Sequence, residues 1–323
     1  MGNEKAKIGS RTLARAAQFG LVVSDPAQFE QAADVEVLLV NKAGTLTSPI
    51  RRVVKSRLAY GSPLSSQDEL LAIAASLELE IDHPIAHSIV AEAKQKQLEL
   101  HGAVDARQIP GQGIAAVIDG ESFFIGGPAL LTAKNVPIYV DDLVRSDSAN
   151  QLGHTVIYVV LANQLLGMIE LSETVLPKAV DFVNLFHAKK IRVAMVTGDA
   201  TGVAQHVANQ LNIAEVFAEI SPSRKGDVVR KLKADGSKVA VAGFLSTDAL
   251  ALAEAQVGIA LDSDGDTSST AAGLHLGPTT LESIYKTFIL SKRLRSQHTQ
   301  KVIAIFAAAM VAIGAIVVLI SPR

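Results

Sequence analysis

The chain has 323 residues, long enough for two hydrophobic cores. Its 30 lysines and arginines against 32 aspartates and glutamates give a formal net charge of −2, and no basic stripe with interleaved aromatics occurs, which argues against a nucleic-acid ligand. The absence of cysteine excludes disulfides and thiolate metal sites alike.

Lys5, Lys7, Arg11 and Arg15 interrupt any apolar run at the start, so these residues do not read as a signal peptide. Residues 1–34 precede the first long apolar run, and Gly20-Leu21-Val22-Val23 is their most distinctive part. The apolar run Val35–Val40 predicts a strand, closed at once by Asn41-Lys42-Ala43-Gly44-Thr45-Leu46-Thr47. Doubly wound α/β domains present their functional groups on such turns, at the carboxyl edge of the sheet. Asp82-His83 precedes a helical pattern over Pro84–Leu98, and Pro84 suits a first helical position. Ile114–Ile118, Ser122–Ile125, Thr155–Leu161 and Leu165–Leu171 read as antiparallel strands. From Pro177 to about Thr280 the pattern alternates. Strands at Ile191–Val196, Lys238–Ala242 and Val257–Ala260, with helical segments at Ala200–Leu211 and Arg224–Ala234, predict a parallel sheet with right-handed crossovers.

Val302–Ile320 is uncharged and apolar throughout, close to the roughly 20 residues that cross a bilayer, and reads as a transmembrane helix. Lys292, Arg293, Arg295 and Lys301 precede it and place the bulk of the chain in the cytoplasm. Ala308, Ala312 and Ala315 would let a second helix approach closely, so a helical membrane partner or self-association is expected.

The motifs, in their order, resemble the heavy-metal (copper/zinc-type) P-type ATPases along nearly the whole chain. Asn41–Thr47 resembles the DKTGTLT signature, whose leading aspartate attacks the γ-phosphate of ATP. The amide of Asn41 is not a usable phosphoryl acceptor. Thr197-Gly198-Asp199 resembles the family's TGD, and Pro222-x-x-Lys225 its phosphate-facing lysine. Ser172–Pro177 sits where the family has D-x-x-R-P, with Glu173 for the aspartate and Leu176 for the arginine. Gly243–Leu250 aligns with GDGxNDAP, and Phe244 stands where that motif's first aspartate holds magnesium. Asp82-His83-Pro84 resembles the S-E-H-P nucleotide-binding element. Gly111-Gln112-Gly113-Ile114 and Gly126-Gly127 resemble its two glycine elements, where glycine lets the backbone approach a flat ligand.

This resemblance implies an α/β chain with a HAD-like doubly wound parallel sheet over 35–50 and 171–288. It further implies a membrane-exit or linker segment over 1–34 and an α+β nucleotide-binding domain inserted over 51–170, to which the apolar run adds one C-terminal transmembrane helix at 302–320. Asn41, Lys42, Thr45, Thr197, Gly198, Asp199, Lys225 and Asp248 occupy the catalytic positions. Asp82, His83, Gly111, Gly113 and Gly126 would frame ATP. Phosphoryl transfer is positioning plus charge neutralisation, so losing the nucleophile and the magnesium ligand together leaves no turnover. Nucleotide binding by the inserted domain can outlast that loss. The resulting expectation is a truncated, membrane-anchored P-type ATPase-like pseudoenzyme that binds ATP, not magnesium, and acts through a partner. Two alternatives stay open: a functional ATP-hydrolysing cation-transport part working with a separate membrane subunit, and a membrane scaffold that binds no nucleotide.

Simpler roles also stand beside these. Asn41 suits a turn after a strand, and Asp248 an N-cap ahead of Ala249–Ala255. Asp199 and Lys225 could be surface charges. Asp262–Asp266 reads as a solvated acidic turn. His83 and His87 have a zinc-compatible spacing, but no third ligand is obvious.

Overall fold

The computed structural model describes residues 8–261, 269–277, 281–297 and 299–300. Their contacts divide the chain into two compact units. One comprises Met1–Asn41, Asp181–Ala194 and Ser221–Arg323; the other comprises Lys42–Val180 and Met195–Ile220.

The chain opens with α1 (Ser10–Ala17), β1 (Leu21–Val23), α2 (Pro26–Gln31) and β2 (Val37–Asn41). It continues with β3 (Thr47–Leu58), α3 (Gln67–Glu78), α4 (Pro84–Gln95), β4 (Ala103–Ile109), β5 (Gly113–Ile118) and β6 (Glu121–Gly126). Next come α5 (Pro128–Ala133), α6 (Val140–Gln151), β7 (His154–Leu161), β8 (Gln164–Val175), α7 (Ala179–Ala188) and β9 (Arg192–Val196). Then follow α8 (Thr201–Leu211), β10 (Glu215–Phe217), α9 (Lys225–Ala234), β11 (Val239–Gly243), α10 (Leu245–Glu254), β12 (Val257–Ala260) and β13 (Leu274–Leu276). Residues 281–297 are helical.

In the first unit the strand order is β1-β13-β12-β11-β2, with the opening residues of β9 beyond β2. β2, β11, β12 and β13 run parallel. Every residue of β2 and β11 is buried, as expected where both faces of a parallel sheet are covered. β1 is the exception, pairing antiparallel with β13 through Leu21 and Leu276. Gly20–Val23 therefore leads into a sheet edge, and residues 10–34 form folded elements, not a linker. Phe186 packs edge-to-face with Phe182, Tyr285 and Phe288, which fastens α7 to the helix 281–297.

The second unit carries a six-stranded antiparallel sheet, ordered β3-β8-β7-β6-β5-β4. Side chains alternate between its faces. Phe123, Ile125, Ile157 and Val159 meet Leu70, Leu77 and Ile89 of α3 and α4. Phe124, Val156, Tyr158 and Val160 meet Leu130 and Ala149 of α5 and α6. Ser66 caps α3 by accepting the Glu69 N–H, and Glu69 accepts the Ser65 N–H in return. β3 and β8 pair from Thr47↔Val175 to Leu58↔Gly167, so the junctions expected at 50/51 and 170/171 fall inside strands.

No helix among the described residues is long and apolar enough to cross a membrane. Val302–Ile320 and the acidic stretch Asp262–Asp266 lie outside the described residues.

Candidate active site

Parallel pairing of β2 with β11, Val40 opposite Ala242, brings the carboxyl ends of the two strands side by side in the first unit. Asn41 is the last residue of β2 and is buried, so it is a strand residue and not a turn residue. A 3-10 turn at Pro222–Arg224 leads into α9, whose first residue is Lys225. Lys225 Nζ donates to Asn41 Oδ1 at 3.1 Å and to Asp248 Oδ1 at 2.5 Å. Lys225 is buried, which removes the surface-charge reading.

Asp248 is not the N-cap of α10. That helix starts at Leu245 with Phe244 at the cap position, and Asp248 lies buried in the first turn. Its Oδ2 accepts the Phe244 N–H at 2.8 Å and the Thr247 hydroxyl at 3.1 Å. Gly243 makes room for it: a Cβ there would stand 2.5 Å from Asp248 Oδ2. One lysine, one aspartate and one amide sum to zero charge. Both Asp248 oxygens already accept hydrogen bonds and the Phe244 side chain supplies no oxygen ligand, so this cluster does not fit a magnesium ion.

The second unit holds a separate buried network. Lys42 Nζ lies 2.8 Å from Asp199 Oδ2 and 3.0 Å from Glu173 Oε2. Arg51 pairs with Glu173 Oε1 and lies 3.4 Å from Asp199 Oδ1. The Thr197 hydroxyl donates to Asp199 Oδ2 at 2.6 Å, and Thr155 reaches Asp199 Oδ1 at 3.3 Å. Burial works to raise the Asp199 carboxyl, but Lys42 and Arg51 outweigh it and hold the group well below the usual carboxylate range. Asp199 is thus no surface charge. The Thr45 hydroxyl is buried with no hydrogen-bond partner among the described residues. At Gly198 a Cβ would make an ordinary 3.6 Å contact, so nothing steric demands glycine there. Arg51 and Thr155 were not anticipated. Both sit on strands that converge on Asp199 only through sheet pairing, and Arg51 supplies a guanidinium where Leu176 brings none.

In the same unit His83 caps α4, its Nδ1 accepting the Ile85 N–H at 3.2 Å. Burial, then Arg51 and His87, lower the His83 imidazole below its ordinary value, consistent with a ring nitrogen acting as acceptor. Asp82 is exposed and pairs with His87 at 3.2 Å. Gly113 and Gly126 face one another: a Cβ on Gly113 would stand 2.1 Å from Ile125 O, and one on Gly126 1.9 Å from Gln112 O. Backbone meeting backbone requires glycine at both positions. Gly111, at φ +73°, and Gly127 border open space. Glu78, at the end of α3, was missed as well. Its Oε2 is buried with no partner among the described residues, and burial pushes its carboxyl up to about 7. A carboxylate between Leu77 and Leu79 is the sequence signal that could have marked it. A groove of about 800 Å³ runs along α4, lined by Arg51, Arg52, Pro84, His87, Glu92 and Gln95 among others.

Lys225 and Asp248 stand beside the carboxyl end of β2, the sheet edge at which α/β proteins of the doubly wound class carry their sites. Residues 36–256 match the haloacid dehalogenase-like hydrolase family model, and the chain belongs to that family. Within it, this chain is similar to the heavy-metal P-type ATPases. It is 31% identical over 288 residues to the copper-exporting P-type ATPase B of Archaeoglobus fulgidus, covering 89% of this chain and 40% of that protein. The structure of a zinc-transporting PIB-type ATPase in its E2.Pi state superposes with a TM-score of 0.66 at 27% identity, over 96% of this chain and 50% of that one. The catalytic domain of the CPx-ATPase CopB-B, described for its conformational changes upon nucleotide binding, shares the fold with a TM-score of 0.67 at 22% identity. That likeness covers 87% of this chain and 99% of the domain. The chain spans well under half the length of the copper-exporting relative.

Proposed function

We propose that this chain is an ATP-binding, phosphorylation-incompetent counterpart of the heavy-metal P-type ATPase catalytic segment, acting through a membrane partner. The observation that carries this reading is the hold of Asn41 and Asp248 on Lys225. An amide replaces the nucleophile, and the lysine that would face a phosphoryl group is already neutralised. A phosphoryl acceptor must be a nucleophile and its developing charge must be met by cations. The first-unit cluster provides neither an acceptor nor a metal ligand at position 244.

Nucleotide binding rests on the second unit alone. Glu78 carries a buried Oε2 without a partner among the described residues just before the loop to His83, and burial raises its carboxyl to about 7, which supports a polar ligand there. In this reading Glu78 and the His83–Pro84 helix start recognise the base, with Gly111 and Gly127 leaving open space beside it. Val302–Ile320 attaches the chain to the bilayer and meets a helical partner there.

Two measurements on the full chain test this. Incubation with γ-labelled ATP should leave no acid-stable, hydroxylamine-sensitive label, and any such label overturns the phosphorylation-incompetent reading. Isothermal titration should detect ATP binding that is indifferent to magnesium. Absence of binding at millimolar ATP would favour a scaffold that uses no nucleotide.

A further inference from the structure

We propose that Asn41, Lys225 and Asp248 form a self-crosslinking site, in which the Lys225 amine displaces ammonia from the Asn41 carboxamide and leaves a covalent amide between β2 and α9. This goes beyond the functional reading above and does not depend on nucleotide binding.

Three kinds of group are needed: an amine, a carboxamide and a carboxyl that moves protons between them, all screened from water. All three are in place. Lys225 Nζ is 3.1 Å from Asn41 Oδ1, one bond from the carbon it would attack, and 2.5 Å from Asp248 Oδ1. Lys225, Asn41 and Asp248 are 4%, 9% and 2% exposed. Competing hydrolysis of the amide is suppressed accordingly.

Positions are fixed by the fold. Asn41 ends a buried strand, and Lys225 is the first residue of α9. Asp248 is clamped by the Phe244 N–H and seated against Gly243. Groups held together in a fixed orientation react as though present at up to roughly 10⁵–10⁸ M, which is what a sluggish amide electrophile requires.

The step balances. Lys225 gives one ammonium proton to Asp248, leaving an amine and a neutral carboxylic acid. The amine lone pair forms the bond to Asn41 Cγ, the Cγ–Nδ2 bond breaks, and a proton passes from Nζ to the departing nitrogen. Ammonia leaves, the new amide keeps one hydrogen on Nζ, and Asp248 remains protonated. No oxidant, metal or nucleotide enters.

Intact-mass spectrometry of the folded full chain, denatured just before measurement, tests the proposal. The protein should be about 17 Da lighter than its sequence, the loss of one ammonia. Tryptic digestion should yield one branched peptide joining the Asn41 and Lys225 segments, with no cleavage after Lys225. Asn41→Ala, Lys225→Arg and Asp248→Ala should each return the full sequence mass. If a variant does not fold, the native chain still decides. Full sequence mass in the native protein, a gain of one mass unit from deamidation of Asn41, or a lost ammonia mapped to another asparagine overturns the crosslink.

Discussion

Lys42 Nζ lies 2.8 Å from Asp199 Oδ2, and both side chains are buried. Removing one member of such a pair strands the other charge in a low-dielectric interior. Lys42→Met is therefore expected to cost about 3–5 kcal/mol, read from chemical denaturation. Arg51→Leu should cost less, because Arg51 lies farther from Asp199 and is partly exposed. A loss below about 1 kcal/mol for Lys42→Met would show that Arg51 alone holds Asp199.

Glu78 gives stability a pH dependence of definite sign. Its folded value of about 7 lies above its ordinary 4.5, so the folded state binds the proton more tightly than the unfolded state does. The contribution is fully present below about pH 4.5 and is lost as the pH rises through 7, at most about 3 kcal/mol. Glu78→Gln should flatten that slope between pH 5 and 8 and melt higher than the native protein at pH 8. An unchanged slope in the variant would place the Glu78 carboxyl in contact with water.

Gly126 and Gly127 should respond differently to added carbon. A Cβ on Gly126 would meet Gln112 O at 1.9 Å, so Gly126→Val should destabilise by at least about 1–3 kcal/mol whether or not nucleotide is present. At Gly127, the N-cap of α5, nothing lies within 4 Å, so Gly127→Ala should cost no more than about 1 kcal/mol, the loss of a better cap residue. Thermal melts with and without ATP separate a packing role from a ligand-clearance role.

Restoring the nucleophile alone should not restore chemistry. Asn41→Asp should take no label from γ-labelled ATP, since Phe244 still supplies no metal ligand. Asn41→Asp with Phe244→Asp adds two carboxylates to a neutral cluster and should gain magnesium binding by isothermal titration. Labelling of the single variant would mean that Phe244 matters less than its position implies.

The full chain should sediment with membranes, and a chain ending at Gln300 should remain soluble. Recovery of the full chain without detergent would rule out a spanning role for Val302–Ile320.

Several features were legible in residue order alone. Val37–Val40 and Val239–Ala242 are unbroken apolar runs because a parallel strand is covered on both faces, so their strands could be placed within two residues. The amide at 41 and the phenylalanine at 244 are matters of identity and needed no coordinates. β1 was not legible, because three residues are too few for a period to emerge and its partner lies some 250 positions away. Charge placement was also hidden. Motifs point to Asp199 and Lys225, and two flanking leucines mark Glu78, but whether these groups and Arg51 are solvated or buried depends on which strands and helices lie beside them. The sequence determined which groups the site lacks. Only the tertiary structure decided what the remaining groups do, because crossovers bring residues 41, 225 and 248 within hydrogen-bond reach and sheet pairing brings residues 42, 51, 173 and 199 together. Hydrogen bonds and ion pairs act over a few ångströms of space, and local sequence patterns carry no record of such distances.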